Sequence, residues 1–344
     1  MKLIVAVCVL LCVIAGCSKK ETKFTTFGKE YDVVLFADKD FQMKHATILS
    51  DNLGKPVFFT HTEDVYTILD RDIEEFNRYY RYKNIIFIDN ITTDDPVTTF
   101  ITDLLGKEQV FSVTKASIIH KEHVWFKNQN VIFLLFRGDA VTPSSLKSSI
   151  HSTHEILDKY VGNRLAEQME EEKTGKTTTA AVLKKFGFPI FIPRQFEKYK
   201  EDDNFYGLVT RSPDRHYSIS RQPFSGDITI TSLIAARNVI GKKYYDGDVV
   251  STDIFDWKKN DDKVEYQCGF DRLSVQGETI FKLYGLWENT TYGGTFITYA
   301  WRDKDQIYLL DAFLFYPKGR KWAYMNKLDL MLKESLSMIF PAKK

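Results

Sequence analysis

Apolar and polar positions change rhythm about halfway along the chain. In the first half, short unbroken apolar runs alternate with segments whose apolar residues recur at helical spacing. "YDVVLFA" (31–37), "NIIFID" (84–89) and "VIFLLF" (131–136) have the length and β-branched content of buried strands. Phe41 to Leu53 reads as a helix, stopped by Gly54 with Pro56 beyond. "DRDIEEFNRYYRYK" (70–83) predicts a second helix with Ile73, Phe76 and Tyr80 on one face. Pro143 to Glu172 predicts a long polar helix whose buried stripe is Leu146, Ile150, Leu157, Val161 and Leu165.

The second half is richer in strands. "NFYGLVTR" and "HYSISRQPF" predict a hairpin across Ser212, Pro213 and Asp214. "ITSLIAARNVIGKK" predicts a helix capped by Asp227 or Thr229, with Ile230, Leu233, Ile234 and Ile240 inward. Strands over 263–274, 278–287, 294–302 and 306–316 come next, with turns at Gly277, Gly293-Gly294 and 303–305. The chain closes on an amphipathic helix carrying Met325, Leu328, Leu332, Leu336 and Ile339 as its stripe. The pattern is α+β: an N-terminal α/β-like half, then a mainly antiparallel sheet covered on one face by two helices. It divides into an N-terminal domain at 29–172, a polar, Thr-rich linker at 173–180, and a C-terminal domain at 181–344.

The extreme N-terminus does not fit a globular pattern. Lys2 precedes an apolar run from Leu3 to Ile14, too short for a membrane span of about twenty residues. Ile14-Ala15-Gly16-Cys17 then resembles a bacterial lipobox, with 1–16 as signal peptide and Cys17 as the lipidated residue. Residues 17–28 become a tether, and acylation of Cys17 anchors the body to a membrane. No aspartate follows Cys17, which favours the outer membrane, with the body in the periplasm or at the cell surface. Cys8 and Cys12 fall in the leader, leaving Cys268 and no intramolecular disulfide. Lys plus Arg number 47 against 46 Asp plus Glu, so there is no basic field for nucleic acid.

The second half also carries a family pattern. Gly285-Leu286-Trp287-Glu288, then Gly293-Gly294-Thr295-Phe296, then Phe313 to Pro317 occur in order, preceded by "NFYGLVTR" and "ARNVIGKKYYDGD". These segments resemble domain-of-unknown-function family 4837, envelope lipoproteins of Bacteroidetes. The resemblance implies a cell-envelope location and this architecture; it brings no catalytic residues.

The candidate chemistry is sparse. "TGKTTTAAVL" (174–183) copies the end of a phosphate-binding loop, but the glycine needed five residues before Gly175 is Glu170, so no nucleotide is expected. His120 and His123, and His151 and His154, form two HxxH pairs with no cysteine or placed carboxylate to complete a metal set, so no metal or other cofactor is expected. No nucleophile elbow or dinucleotide glycine pattern is present. Asp311 lies on an apolar strand face, and Arg237 on the apolar stripe of the helix over that sheet; a structural ion pair between them is expected. Trp287, Glu288, Tyr292 and Trp301 lie near turns and form a candidate ligand patch. The reading is a non-enzymatic envelope lipoprotein that binds an envelope protein, a glycan or a lipidic ligand. The alternative is a hydrolase of envelope polymer working through Glu288 with Asp303 or Asp305.

Overall fold

The structure, a computed structural model, describes residues 26–172, 176–260 and 264–342. The leader, Cys17 and most of the tether lie outside the described residues.

The apolar runs of the first half form β1 (Asp32–Ala37), β5 (Asn84–Asn90) and β7 (Asn130–Phe136). With β4 (Thr67–Arg71) and β6 (Ala116–Glu122) they make a five-stranded sheet in the order β4-β1-β5-β7-β6. All neighbours are parallel except β6, which runs antiparallel to β7. Both faces are covered, so the central strands need continuous apolar sequence rather than alternation. Helices α1 (Lys39–Asn52) and α5 (Pro143–Glu171) close one face. Helices α3 (Pro96–Leu105) and α4 (Lys107–Phe111) close the other.

The structure corrects the helix expected over 70–83. Asp70 and Arg71 are the end of β4, paired with Leu35 and Phe36. Beyond them lie only a 3-10 turn at Ile73–Glu75 and a single helical turn, α2 (Phe76–Tyr79). Strand pairing with β1 takes the residues that would have begun the helix.

In the second half, β8 (Glu197–Asp202), β9 (Phe205–Thr210), β10 (Asp214–Pro223), β11 (Val249–Ser251), β13 (Gly269–Val275), β14 (Glu278–Glu288), β15 (Gly293–Asp303) and β16 (Gln306–Phe315) form an eight-stranded antiparallel sheet. Its main path is β11-β14-β15-β16-β10-β9-β8, with β13 on the β14 edge. Gln276 and Gly277 both take positive φ, which suits the tight turn from β13 to β14.

The two helices expected on one face of this sheet lie on opposite faces. Helix α7 (Ile230–Tyr244), capped by Thr229, packs Leu233, Ala236 and Ile240 on Leu309 and Phe313. After a short helix α8 (Asp253–Asn260), helix α9 (Trp322–Ile339) packs Met325, Leu328 and Leu332 with Leu310, Ala312 and Leu314. Alternate residues of β16 therefore enter two different cores.

One hydrophobic cluster runs from Val33 of β1 through Leu157 of α5 to Leu332 of α9, joining the halves. The stretch expected as a linker overlaps α6 (Lys176–Phe186), whose Val182 and Phe186 are buried in that cluster. Strand β12 (Glu265–Tyr266) crosses from the second half to pair with β2 (Pro56–Phe58), itself paired with β3 (Thr62–Asp64). At the start of α9, the Glu63 carboxylate accepts from the Lys321 N–H at 2.7 Å and the Trp322 N–H at 2.6 Å. A side chain of the first half thus caps the last helix of the second.

Candidate functional site

The structure brings Arg237 and Asp311 together. Arg237 Nε lies 3.4 Å from Asp311 Oδ1, and both side chains are 1% exposed. Thr298, directly across from Asp311 on β15, donates its hydroxyl to the same oxygen at 2.5 Å. The guanidinium carbon sits 4.4 Å from the centre of the Phe296 ring. Ser218, Asp311 and Thr298 make one polar row across β10, β16 and β15, roofed by α7. Several polar atoms here, including Arg237 Nη1 and Nη2 and Asp311 Oδ2, make no hydrogen bond within the described residues.

The carboxylates invoked for a hydrolase do not converge. Glu288 faces Gly293 where β14 meets β15, whereas Asp303 and Asp305 flank the turn at the far end of β15. A strand of that length spans roughly 33 Å, against at most about 9.5 Å between the carboxylates of a glycosidase pair. Asp311 is buried between them.

The expected ligand patch is brought together only in part: the Trp287 and Tyr292 rings meet edge-on at 5.8 Å and line one hollow, while Trp301 lies apart from them. Trp287 is 1% exposed, in the core under α7, where Phe313 packs edge-on against it. Trp301 is on the other face, stacked on Tyr308 at 5.3 Å. Glu288 and Tyr292 are exposed. Closeness to a turn places these residues together in sequence, but strand alternation sends the two tryptophans to opposite sides. His151 and His154 separate as well: His154 bonds the Leu53 carbonyl inside the fold, while His151 faces Glu155 on the surface. Among the described residues, no group of three or more His, Cys, Asp or Glu is arranged to hold a metal ion.

Two hollows lie on opposite faces of the sheet at one end of β10 and β16. The smaller, of about 240 Å³, is lined by His216, Tyr245, Asp248, Trp287 and Phe315 among others. Burial pushes His216 down to about 4, so it is neutral at physiological pH. Asp248 is pushed up to about 6 by burial, against the pull of the Asn289 amide.

The larger is a cleft of about 660 Å³ where the two halves meet. Lys29, Tyr31 and Thr67 come from the first half; Arg215, Tyr316, Arg320, Trp322 and Tyr324 come from the second. Arg215 is half-buried, with its guanidinium 5.3 Å from the centre of the Tyr324 ring and 6.0 Å from that of Phe196. Its Nε is buried without a hydrogen bond. Among the described residues no carboxylate pairs with it: Glu172, the acid that acts on its charge, is bonded to Lys327 at 2.8 Å. Arg320 bonds Thr67 Oγ1 at 2.6 Å and backbone carbonyls, not an acid. Of the acids on the wall, Glu30 holds Arg164 at 2.7 Å and also Lys83, whereas Asp32 accepts from the Lys29 backbone N–H and keeps its charge. No local sequence signal marks this cleft, because its walls come from segments some 250 residues apart, the separation of the Arg320–Thr67 bond being 253.

Residues 175–334 match the family model described as Domain of unknown function (DUF4837). The second half of the chain belongs to the DUF4837 family. The DUF4837 segment contains Arg237, Asp311 and one wall of the cleft; Lys29, Tyr31 and Thr67 lie before it. No curated protein matches the chain. Similar solved structures include cyanobacterial PsbP (CyanoP) from Synechocystis sp. PCC 6803, 10% identical over 47% of this chain and 89% of that one, with a TM-score of 0.29. A protein from Bacteroides thetaiotaomicron VPI-5482 is 10% identical over 46% of this chain and 45% of that one, with a TM-score of 0.23. LpqN of Mycobacterium tuberculosis, described as involved in cell envelope biogenesis, is 13% identical over 42% and 78%, with a TM-score of 0.24.

Proposed function

We propose that this DUF4837 protein is a lipid-anchored envelope protein that binds a ligand in the cleft between its two halves. The lipobox-like Ile14-Ala15-Gly16-Cys17 supports anchoring through Cys17, and the absence of an aspartate after it favours the outer membrane. No described helix is long and apolar enough to cross a membrane, so the described body offers no helical anchor of its own. The observation that carries the binding role is Arg215, a half-buried cation without an acid partner among the described residues, in an aromatic-walled cleft. A charge withdrawn from water and left without a counter-ion costs stability, and such a cost is typical of sites built for a ligand. The separation of Glu288 from Asp303 and Asp305 speaks against the hydrolase reading.

Anchoring is tested by growing cells on an alkyne-tagged fatty acid and expressing the full chain. The intact protein takes up the tag and sediments with membranes, and Cys17→Ala does neither. Label retained by Cys17→Ala, or none on the wild type, overturns the anchor.

A further inference from the structure

We infer that the cleft takes a phosphorylated ligand, with the phosphate on Arg215 and the organic remainder against Tyr316, Trp322 and Tyr324. This rests on the reading of the cleft as the ligand site and narrows its occupant.

Charge points to phosphate first. Among the described residues, Lys29, Arg215 and Arg320 reach the cleft without a carboxylate partner; Glu30 is held by Arg164 and Lys83, Lys327 is neutralised by Glu172, and the charge of Asp32, which accepts only a backbone N–H, leaves those three cations in excess. A carboxylate ligand brings one negative charge; a phosphate monoester brings about two, the better answer to a cluster of cations. The guanidinium offers a planar fork that matches phosphate oxygens.

The walls point the same way. Tyr316 and Tyr324 meet edge-on at 5.6 Å, and Arg215 lies over Tyr324, so its charge is held in place by packing. Trp322 lines the same wall with its ring, its Nε1 being buried beside the Tyr31 hydroxyl. Aromatic rings offer apolar area to the C–H groups of a sugar ring or a glycerol backbone and a polar handle to their hydroxyls. The volume of about 660 Å³ accommodates a phosphate with such a remainder.

Two sources share this chemistry: a soluble sugar phosphate and phosphatidic acid, the phospholipid whose headgroup is itself a phosphate monoester. Lys29 comes about 12 residues after Cys17, which extended reach no more than about 40 Å, so an anchored body has access to both.

The test uses the full-length protein in a non-ionic detergent. Glucose 1-phosphate and glucose are titrated by calorimetry, with tryptophan fluorescence as a second readout and Trp322→Phe to assign it. We expect glucose 1-phosphate to bind at least about tenfold more tightly than glucose, and Arg215→Met to lose that difference with a melting temperature no lower than that of the wild type. Full-length Cys17→Ala is then floated with vesicles of phosphatidylcholine alone or of phosphatidylcholine mixed with phosphatidic acid. Arg215-dependent capture by the phosphatidic acid vesicles alone identifies the lipid source; binding of glucose 1-phosphate without capture identifies the soluble one. Equal affinity for glucose and glucose 1-phosphate, or no effect of Arg215→Met, overturns the phosphate inference and leaves the cleft as a site for something else. No binding of either sugar, with Trp322 silent and neither vesicle capturing the protein, overturns the phosphate inference and the cleft reading together.

Discussion

Removing Asp311 is the sharpest perturbation available in this fold. In Asp311→Ala, Arg237 remains 1% exposed under α7, with the Phe296 ring 4.4 Å away and no counter-ion. Breaking a buried pair in this way costs about 3–5 kcal/mol, because the surviving charge is stranded. Thr298 also loses its acceptor, a further ~1 kcal/mol. A loss of about 4 kcal/mol is a large share of the roughly 5–15 kcal/mol that stabilises an ordinary domain. The double replacement Arg237→Met with Asp311→Leu removes both charges and roughly keeps the volume. It should lie within about 1 kcal/mol of the wild type, or above it. Urea denaturation of the wild type, both single variants and the double variant gives the coupling energy directly. We expect the double variant to be more stable than either single one. Costs that add to within about 0.5 kcal/mol would show that the two residues do not act as a pair.

Packing and titration supply three more predictions. Glu63→Ala leaves the Lys321 and Trp322 amides unpaired and should cost about 3 kcal/mol, with faster hydrogen exchange at those two amides; unchanged exchange contradicts the capping role. A Cβ on Gly241 would lie 1.9 Å from the Asp248 carbonyl oxygen, so Gly241→Ala should force α7 off its loop and cost about 3 kcal/mol; a melting temperature equal to wild type would refute this. Burial raises Asp248 to about 6, and burial with the Asp95 charge raises Asp89 to about 7, each opposed by hydrogen bonds. The folded state then holds protons that the unfolded chain has released, so their contribution is full below about pH 4 and is lost as pH rises through about 6 to 7. The double change Asp89→Asn and Asp248→Asn should flatten the stability profile between about pH 5 and 7.5, and an unaltered slope would count against the burial argument.

Much of this fold is legible in the sequence because each strand and helix carries its own periodic signal. The unbroken runs at 84–89 and 131–136 announce strands buried on both faces, and the capping residues Asp227 and Thr229 announce the start of α7, with the structure choosing Thr229. Periodicity does not convey which side of the sheet each helix takes. Asp311 and Arg237 are locatable from sequence because each breaks an apolar stripe, and a buried charge needs a partner. Trp287 and Trp301 mislead because proximity to a turn suggests exposure, whereas strand parity sends them into separate cores. The short strands β2 and β3, the 3-10 turn at Ile73–Glu75 and the cleft depend on contacts between distant segments, and local sequence carries no trace of those.

The central claim, an anchored body with a filled cleft, is tested most directly by native mass spectrometry of the full-length protein released from its own membranes in detergent, alongside Arg215→Met. The expected chain begins at an acylated Cys17 and carries a non-covalent, phosphorus-containing mass that Arg215→Met has lost. A chain without acyl groups at Cys17, or a bound mass that Arg215→Met retains, would contradict it.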